Sequence, residues 1–180
     1  MKRTLLAFAT IAILMLSQSV KAQMDVKTLW IDNGDRRIFG KLCKPSNAEG
    51  KQPIVIVSHG FNGTHHFAQD YFKPLSDLGY QVYCFDFPCG SINSQSDKNT
   101  MNMSIEDEVS DVQAIVNYFS KQKDIDRKQI VLIGESQGGL VSALASARMP
   151  KAISQTILIY PAFCIPDNWN SRYPRIKLLS

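Results

Sequence analysis

A short apolar strand, a glycine-flanked turn and a helical pattern follow one another directly over residues 130–148. The turn reads Gly-Glu-Ser-Gln-Gly, so a G-x-S-x-G pattern lies between a buried strand and an Ala-rich stretch. In this context the pattern predicts a sharp, strained turn that exposes the serine hydroxyl above the end of a sheet. Ser136 is therefore the candidate nucleophile, at a helix N-terminus that favours developing negative charge. We expect a side chain at Gly134 or Gly138 to collide with the neighbouring strand or helix.

Two more apolar strands end in loops that belong at the same edge of the sheet. Residues 53–58 run into the sequence HGFNG, and residues 80–87 run into a loop rich in Gly, Ser and Asn. The carboxyl ends of parallel strands meet at one edge, so these loops should lie beside Ser136. The order strand–HG, strand–D-x-x-x-G, strand–G-x-S-x-G resembles the α/β-hydrolase superfamily, and the resemblance covers residues 26–168.

Within that superfamily, the strings HGFNG, FDFPCGSINS, GESQGG and ILIYPAF are similar to secreted feruloyl (cinnamoyl) esterase-like hydrolases of gut bacteria. The resemblance implies a serine hydrolase that cleaves carboxylic esters through an acyl-enzyme, with a small-molecule or polysaccharide-linked ester as substrate. It also implies an oxyanion hole formed by the backbone N–H groups of Phe61 and Gln137, with Gly60 as the loop glycine. No cofactor is implied.

The order of strand and helix patterns predicts an α/β fold with a mainly parallel sheet covered on both faces. A hairpin is expected around Asn33-Gly34, between strands 26–31 and 37–43. Further strands are expected over 54–58, 80–86, 130–133 and 156–160, and helices over 67–78, from Ser104 to Phe119, and over 137–148. We interpret residues 23–180 as the N-terminal portion of one α/β-hydrolase domain, with 162–180 as the start of a cap or lid.

The first 22 residues have the pattern of a secretory signal peptide. Lys2 and Arg3 precede an apolar stretch over 5–16, and small residues before Gln23 offer a cleavage site. The stretch is too short to span a bilayer, so we expect a secreted or periplasmic protein without a membrane anchor. Residues 1–22 carry three basic residues of the formal charge of +4, which leaves about +1. A nearly neutral mature chain does not favour nucleic-acid binding.

The base that Ser136 would need is missing from the second half of the sequence. In this fold the acid and the histidine follow the serine, but only one acid, Asp167, and no histidine come after Ser136. The chain therefore has the pattern of a C-terminally truncated hydrolase, and we expect it to be a poor catalyst alone. Asp167 is a candidate acid, although a lid-loop position fits it better. Trp169 and Tyr173 are interpreted as an acyl-pocket lining or as exposed lid aromatics.

The three histidines lie upstream of the candidate nucleophile. We interpret His59 as a brace for the oxyanion loop, and His65 and His66 as solvated or rim-lining residues. Asp86 is expected to fix its loop rather than to act in catalysis. Glu135 occupies a variable position of the turn for which we expect no role.

The four cysteines suggest neither a metal site nor a disulfide framework. Export would permit disulfides, but Cys43 and Cys84 lie in strand-like runs and are expected to pack as small apolar groups. We therefore expect Cys43, Cys84, Cys89 and Cys164 to be mostly unpaired. No C-x-x-C or H-x-x-x-H spacing supports a bound metal. The oligomeric state is left open.

Two alternatives to an esterase remain at this point. A secreted serine peptidase of the aminopeptidase or dipeptidyl-peptidase kind would share the same fold and turn. A non-catalytic protein that has lost its catalytic triad would explain the absence of a histidine after Ser136. A comparison of ester substrates with aminoacyl-anilide substrates would separate the esterase from the peptidase.

Overall fold

The computed structural model describes residues 24–46, 48–97 and 102–164. The predicted signal peptide, Asp167, Trp169, Tyr173 and most of the predicted lid segment lie outside these residues. Within the described ranges there are six strands, in chain order β1 (Met24–Asn33), β2 (Arg36–Pro45), β3 (Gln52–Ser58), β4 (Gln81–Phe85), β5 (Ile125–Glu135) and β6 (Gln155–Ile159). The helices are a 3-10 helix (His65–Tyr71), α1 (Phe72–Asp77), α2 (Ile105–Phe119) and α3 (Gln137–Arg148).

The strands form one sheet in the order β1-β2-β4-β3-β5-β6. β1 and β2 form the predicted antiparallel hairpin, with Gly34 in the left-handed region at φ 64°. β2 also pairs antiparallel with β4, whereas the β3–β4, β3–β5 and β5–β6 pairs are parallel. The predicted α/β class with a mainly parallel sheet is confirmed.

Helices cover both faces of the sheet, as the alternation of side chains along β3 illustrates. Ile54 and Ile56 point into one core layer with residues of α2 and α3. Val55 and Val57 point into a second layer with residues of the 3-10 helix and α1. Since both faces are buried, the strand reads as a continuous apolar run rather than an alternating one.

The helix predicted over 67–78 is present but consists of two parts. The segment is a 3-10 helix over His65–Tyr71 that passes into the short α1. Pro74 has no N–H and cannot continue an α-helix from residue 67, but it is tolerated in the first turn of a helix that begins at Phe72.

The predicted boundaries of the other elements are close to those observed. Ser104 caps α2 as expected, since its Oγ accepts a hydrogen bond of 3.0 Å from the N–H of Asp107. β5 begins earlier than predicted, at Ile125, but its pairing with β3 is irregular before Ile130. The apolar run over 130–133 therefore identified the buried half of a longer strand.

No helix within the described ranges is long and apolar enough to cross a bilayer. The candidate functional residues lie at the carboxyl ends of β3, β4, β5 and β6, the edge at which parallel α/β sheets bind their ligands.

Candidate active site

Ser136 lies between β5 and α3 in a strained backbone conformation. Its φ of 51° and ψ of −118° fall outside the regions that a non-glycine residue ordinarily adopts. Its N–H donates to the carbonyl of Ile159 at 3.1 Å, and its carbonyl accepts from the N–H of Ala162 at 2.8 Å. These bonds to the end of β6 hold the turn in place, because such strain persists only where the surroundings impose it. The predicted strand–turn–helix geometry is confirmed.

The glycines around Ser136 leave no room for side chains. A Cβ at Gly134 would overlap the carbonyl of Gly138, and a Cβ at Gly138 would overlap the carbonyls of Ser58 and His59. A Cβ at Gly60 would lie 3.2 Å from the Cβ of Ser136. The loop after β3 therefore packs directly against the turn that carries the candidate nucleophile.

The two predicted oxyanion donors both lie next to Ser136. Phe61 and Ser136 line one cleft of about 250 Å³, together with Gly60, Gly63, Phe67, Glu135 and Tyr160. Gln137 is the first residue of α3, where N–H groups have no partner within the helix. This juxtaposition fits an oxyanion hole, and the role of the two N–H groups stays a prediction.

His59 braces the loop after β3, as predicted. The ring is 2% exposed, its Nδ1 is 2.7 Å from the carbonyl of Gly60, and its Nε2 accepts a hydrogen bond from the N–H of Phe87. Burial lowers the pKa of His59 below its usual value of 6.5. With both ring nitrogens occupied, His59 is not free to accept a proton from Ser136.

The expectation that His65 is solvated is wrong. His65 is 1% exposed, and its Nδ1 and backbone N–H both bond to one carboxylate oxygen of Asp86, at 2.8 Å and 2.6 Å. The other oxygen of Asp86 accepts from the N–H of Gln95 at 2.8 Å. Asp86 thus fixes its loop as predicted, and in doing so it draws His65 inward. His66 is exposed, as expected, and stacks on His65.

The expectation that Glu135 has no role is also wrong. Glu135 is 5% exposed, and its two carboxylate oxygens accept hydrogen bonds from Tyr71 at 2.7 Å and from Tyr160 at 2.6 Å. Burial, followed by the hydrogen bond to Glu135, raises the pKa of Tyr71 to about 12. The hydrogen bond to Glu135 is the main cause that raises the pKa of Tyr160. Both phenols are therefore protonated donors near neutral pH.

A further buried carboxyl, Glu108 on α2, contacts the first residue of α3 and was not predicted. Its Oε2 accepts from the side-chain Nε2 of Gln137 at 2.7 Å, while its Oε1 has no hydrogen-bond partner among the described residues. Burial raises the pKa of Glu108 from 4.5 to about 8. Only its helical spacing from Ile105, Val112 and Ile115 could have indicated that Glu108 faces inward.

Replacing Glu108 with glutamine is expected to remove a pH-dependent loss of stability. Because the folded-state pKa lies above the ordinary value, the folded chain binds more protons than the unfolded chain between about pH 4.5 and 8. The contribution of Glu108 to the free energy of unfolding is therefore largest at low pH and is lost as pH rises through that window. The advantage of Glu108→Gln over wild type should grow with pH by up to about 1.4 kcal/mol per unit. Urea denaturation at pH 5 and pH 8 measures it, and parallel pH profiles for the two proteins would contradict it.

The cysteines are free, and no metal cluster is found in the part of the chain that the structure describes. Cys43, Cys84 and Cys89 are buried, whereas Cys164 is exposed. No group of three or more His, Cys, Asp or Glu residues within the described ranges is arranged to hold a metal ion. The prediction of mostly unpaired cysteines is confirmed.

Comparison with known proteins identifies the family. A family model described as "Serine aminopeptidase, S33" matches residues 49–180, which is more than half of the chain. The chain belongs to this family. Together with the sheet topology, the match confirms the predicted membership of the α/β-hydrolase superfamily.

This α/β-hydrolase is similar to proteins with esterase-like names. The structure of Est1E from Butyrivibrio proteoclasticus with bound ferulic acid is 26% identical, with a TM-score of 0.69 over 79% of this chain and 56% of that one. A Mycoplasma pneumoniae protein with the provisional name esterase/lipase 2 is 29% identical over 62% of this chain and 38% of its own length. A Yersinia pestis protein with the provisional name carboxymethylenebutenolidase is 26% identical over 61% of this chain and 44% of its own. The chain spans less than half the length of these two curated relatives.

Proposed function

We propose that this α/β-hydrolase cleaves carboxylic esters with Ser136 as the nucleophile. The observation that carries the proposal is the strained turn at Ser136, which faces the loop of Gly60 and Phe61 across one cleft. Strain of this kind is concentrated at functional sites, and a serine on a strand–turn–helix is the arrangement in which α/β-hydrolases present their nucleophile.

In the proposed reaction, Ser136 Oγ forms a bond to the ester carbonyl carbon. The N–H groups of Phe61 and Gln137 stabilise the resulting oxyanion, and the alcohol leaves with the proton of the serine. Water then hydrolyses the acyl-enzyme. No described histidine is placed as the general base: His59 has both ring nitrogens occupied, His65 is bonded to Asp86, and His66 does not line the cleft.

The substrate that we favour carries an aromatic acyl group of the feruloyl or cinnamoyl type. The similarity to Est1E with its bound ferulic acid supports this class. So do the aromatic side chains that line the cleft, since Phe61, Phe67 and Tyr160 offer flat apolar surfaces to an aromatic ring. The second candidate is a serine peptidase, which the description of the matching family favours.

A panel of p-nitrophenyl esters and aminoacyl-p-nitroanilides tests the proposal. We expect the esters, and p-nitrophenyl cinnamate among them, to release p-nitrophenol faster than background, while the anilides do not react. Single-turnover release measured with excess protein detects even slow acylation. Faster release from the anilides than from the esters would favour the peptidase.

A further inference from the structure

The carboxylate of Glu135 belongs to the same cleft as Ser136, the next residue along the chain. Glu135 is the last residue of β5, and its side chain is held from both sides by the hydroxyls of Tyr71 and Tyr160. The bonds of 2.7 Å and 2.6 Å have the length of charge-assisted O–H···O⁻ bonds. The carboxylate is thus fixed in position rather than left to move with solvent.

Among the described residues, no positive side chain offsets this carboxylate within the cleft. Neither Lys nor Arg occurs among the described residues that line it, and the other side chains there are Phe61, Phe67, Ser136 and Tyr160. The aromatic rings of the cleft also favour positive charge, because the face of a phenyl or phenol ring attracts a cation. A substrate that reaches Ser136 therefore meets a surface that is apolar and negative.

We propose that Glu135 determines the charge preference of this hydrolase, by disfavouring anionic substrates and favouring uncharged or cationic groups near the scissile carbonyl. The proposal rests on the proposed function, because it assigns the substrate class of the same cleft. Two unit charges a few ångströms apart near a protein surface interact strongly enough to change a rate constant about tenfold.

A purely structural role for Glu135 makes a different prediction. The bonds to Tyr71 and Tyr160 connect β5 to the 3-10 helix and to the end of β6, so losing them would loosen the site. Loosening would slow every substrate by a similar factor. An electrostatic role instead changes the ratio between substrates that differ only in charge.

The experiment compares closely matched esters in wild type and Glu135→Gln. The cationic ester is p-nitrophenyl 4-(trimethylammonio)butanoate, and its neutral isostere is p-nitrophenyl 5,5-dimethylhexanoate, in which carbon replaces nitrogen. The anionic ester is p-nitrophenyl 4-sulfobutanoate, whose tetrahedral sulfonate replaces the trimethylammonio group. Acylation is followed as release of p-nitrophenol under single-turnover conditions, with Ser136→Ala as the background.

We expect Glu135→Gln to lower the cationic-to-neutral ratio of acylation rate constants about tenfold and to raise the anionic-to-neutral ratio by a similar factor. The effect should shrink in 0.5 M NaCl, because the cleft residues Phe61 and Tyr160 are exposed to solvent. Tyr71→Phe is the matched control, because it removes one hydrogen bond to Glu135 but keeps the charge, and it should retain the wild-type ratios.

Two failures are distinguishable. If release is the same in Ser136→Ala as in wild type for all three esters, the proposed function fails. If release depends on Ser136 but Glu135→Gln changes both ratios by less than twofold, the role of Glu135 is overturned and the proposed function is not affected.

Discussion

Replacing Ser136 with alanine is expected to lower the rate constant for p-nitrophenyl ester hydrolysis by at least ~10³-fold, as loss of a nucleophile does. The variant keeps the turn, since the backbone bonds of Ser136 to Ile159 and Ala162 do not involve its hydroxyl. What disappears is the side-chain oxygen that forms the acyl-enzyme in the proposed reaction. The comparison is made in an extended, full-length form, because a loss of this size presupposes a general base, which no described histidine provides.

Ser142→Ala is the matched control for that loss. Ser142 lies on the same helix, α3, and its buried hydroxyl has no hydrogen-bond partner among the described residues. It does not line the cleft. Ester hydrolysis in Ser142→Ala should remain within twofold of wild type. Retention of more than a tenth of the activity in Ser136→Ala would exclude Ser136 as the nucleophile.

Replacing Gly138 with alanine is expected to lower the free energy of unfolding by about 2 kcal/mol. Two effects oppose each other here. Alanine is favoured over glycine in a helix by about 1 kcal/mol, whereas overpacking costs about 1–3 kcal/mol and occasionally more. The cost of overpacking should exceed the gain in helix propensity, because the new Cβ would overlap the backbone carbonyls of Ser58 and His59, which cannot rotate away. Urea denaturation measures the difference.

Gly50→Ala is the control that separates steric overlap of the new Cβ from the cost of placing alanine in a left-handed backbone conformation. Gly50 has φ of 72° and nothing within 4 Å of its added Cβ, so alanine there should cost only about 1–2 kcal/mol through its backbone conformation. Ester hydrolysis should be unchanged in Gly50→Ala and reduced in Gly138→Ala, because only Gly138 packs against the loop that faces Ser136. A Gly138→Ala protein as stable as wild type would contradict the packing seen around the turn.

Local sequence patterns were sufficient to predict most of the fold. The parallel strands are short apolar runs that end at glycine or polar residues, and the turn at Asn33-Gly34 and the cap at Ser104 have recognisable local chemistry. The helix expected over 67–78 is present in two parts, because the 3-10 helix passes into α1 at Phe72, two residues before Pro74. Strand ends were underestimated where polar residues continue a strand beyond its buried half, as in β5.

The candidate site was predictable only where a motif encodes it. Ser136 and its flanking glycines follow a local pattern, and the structure places them as expected. His65 and Glu135 were misjudged because their partners are distant in sequence: Asp86 lies 21 residues from His65, and Tyr71 lies 64 residues from Glu135. A charged residue with such a partner cannot be told from a solvated one by its neighbours alone.

Buried charges on α2 illustrate the same limit. Asp111 accepts hydrogen bonds from Arg36 at 2.8 Å and Asn33 at 2.7 Å, which connect the first hairpin to this helix. Burial raises the pKa of Asp111 to about 6. Within the helix, Asp111 follows the acidic first turn and has the pattern of a solvent-facing residue. The contacts that bury it come from residues 75 and 78 positions away.

Covalent labelling tests the identity of the nucleophile most directly. The 180-residue chain is incubated for hours with an excess of an ethyl p-nitrophenyl alkylphosphonate, which loses p-nitrophenol when a serine oxygen bonds to phosphorus. The adduct is located by intact-protein and peptide mass spectrometry. Stoichiometric labelling does not require rapid turnover, so it suits a chain in which no described histidine is placed to deprotonate Ser136. We predict one adduct per chain, on the peptide that contains Ser136, and none in Ser136→Ala. Equal labelling of wild type and Ser136→Ala, or an adduct on a different residue, would contradict Ser136 as the nucleophile.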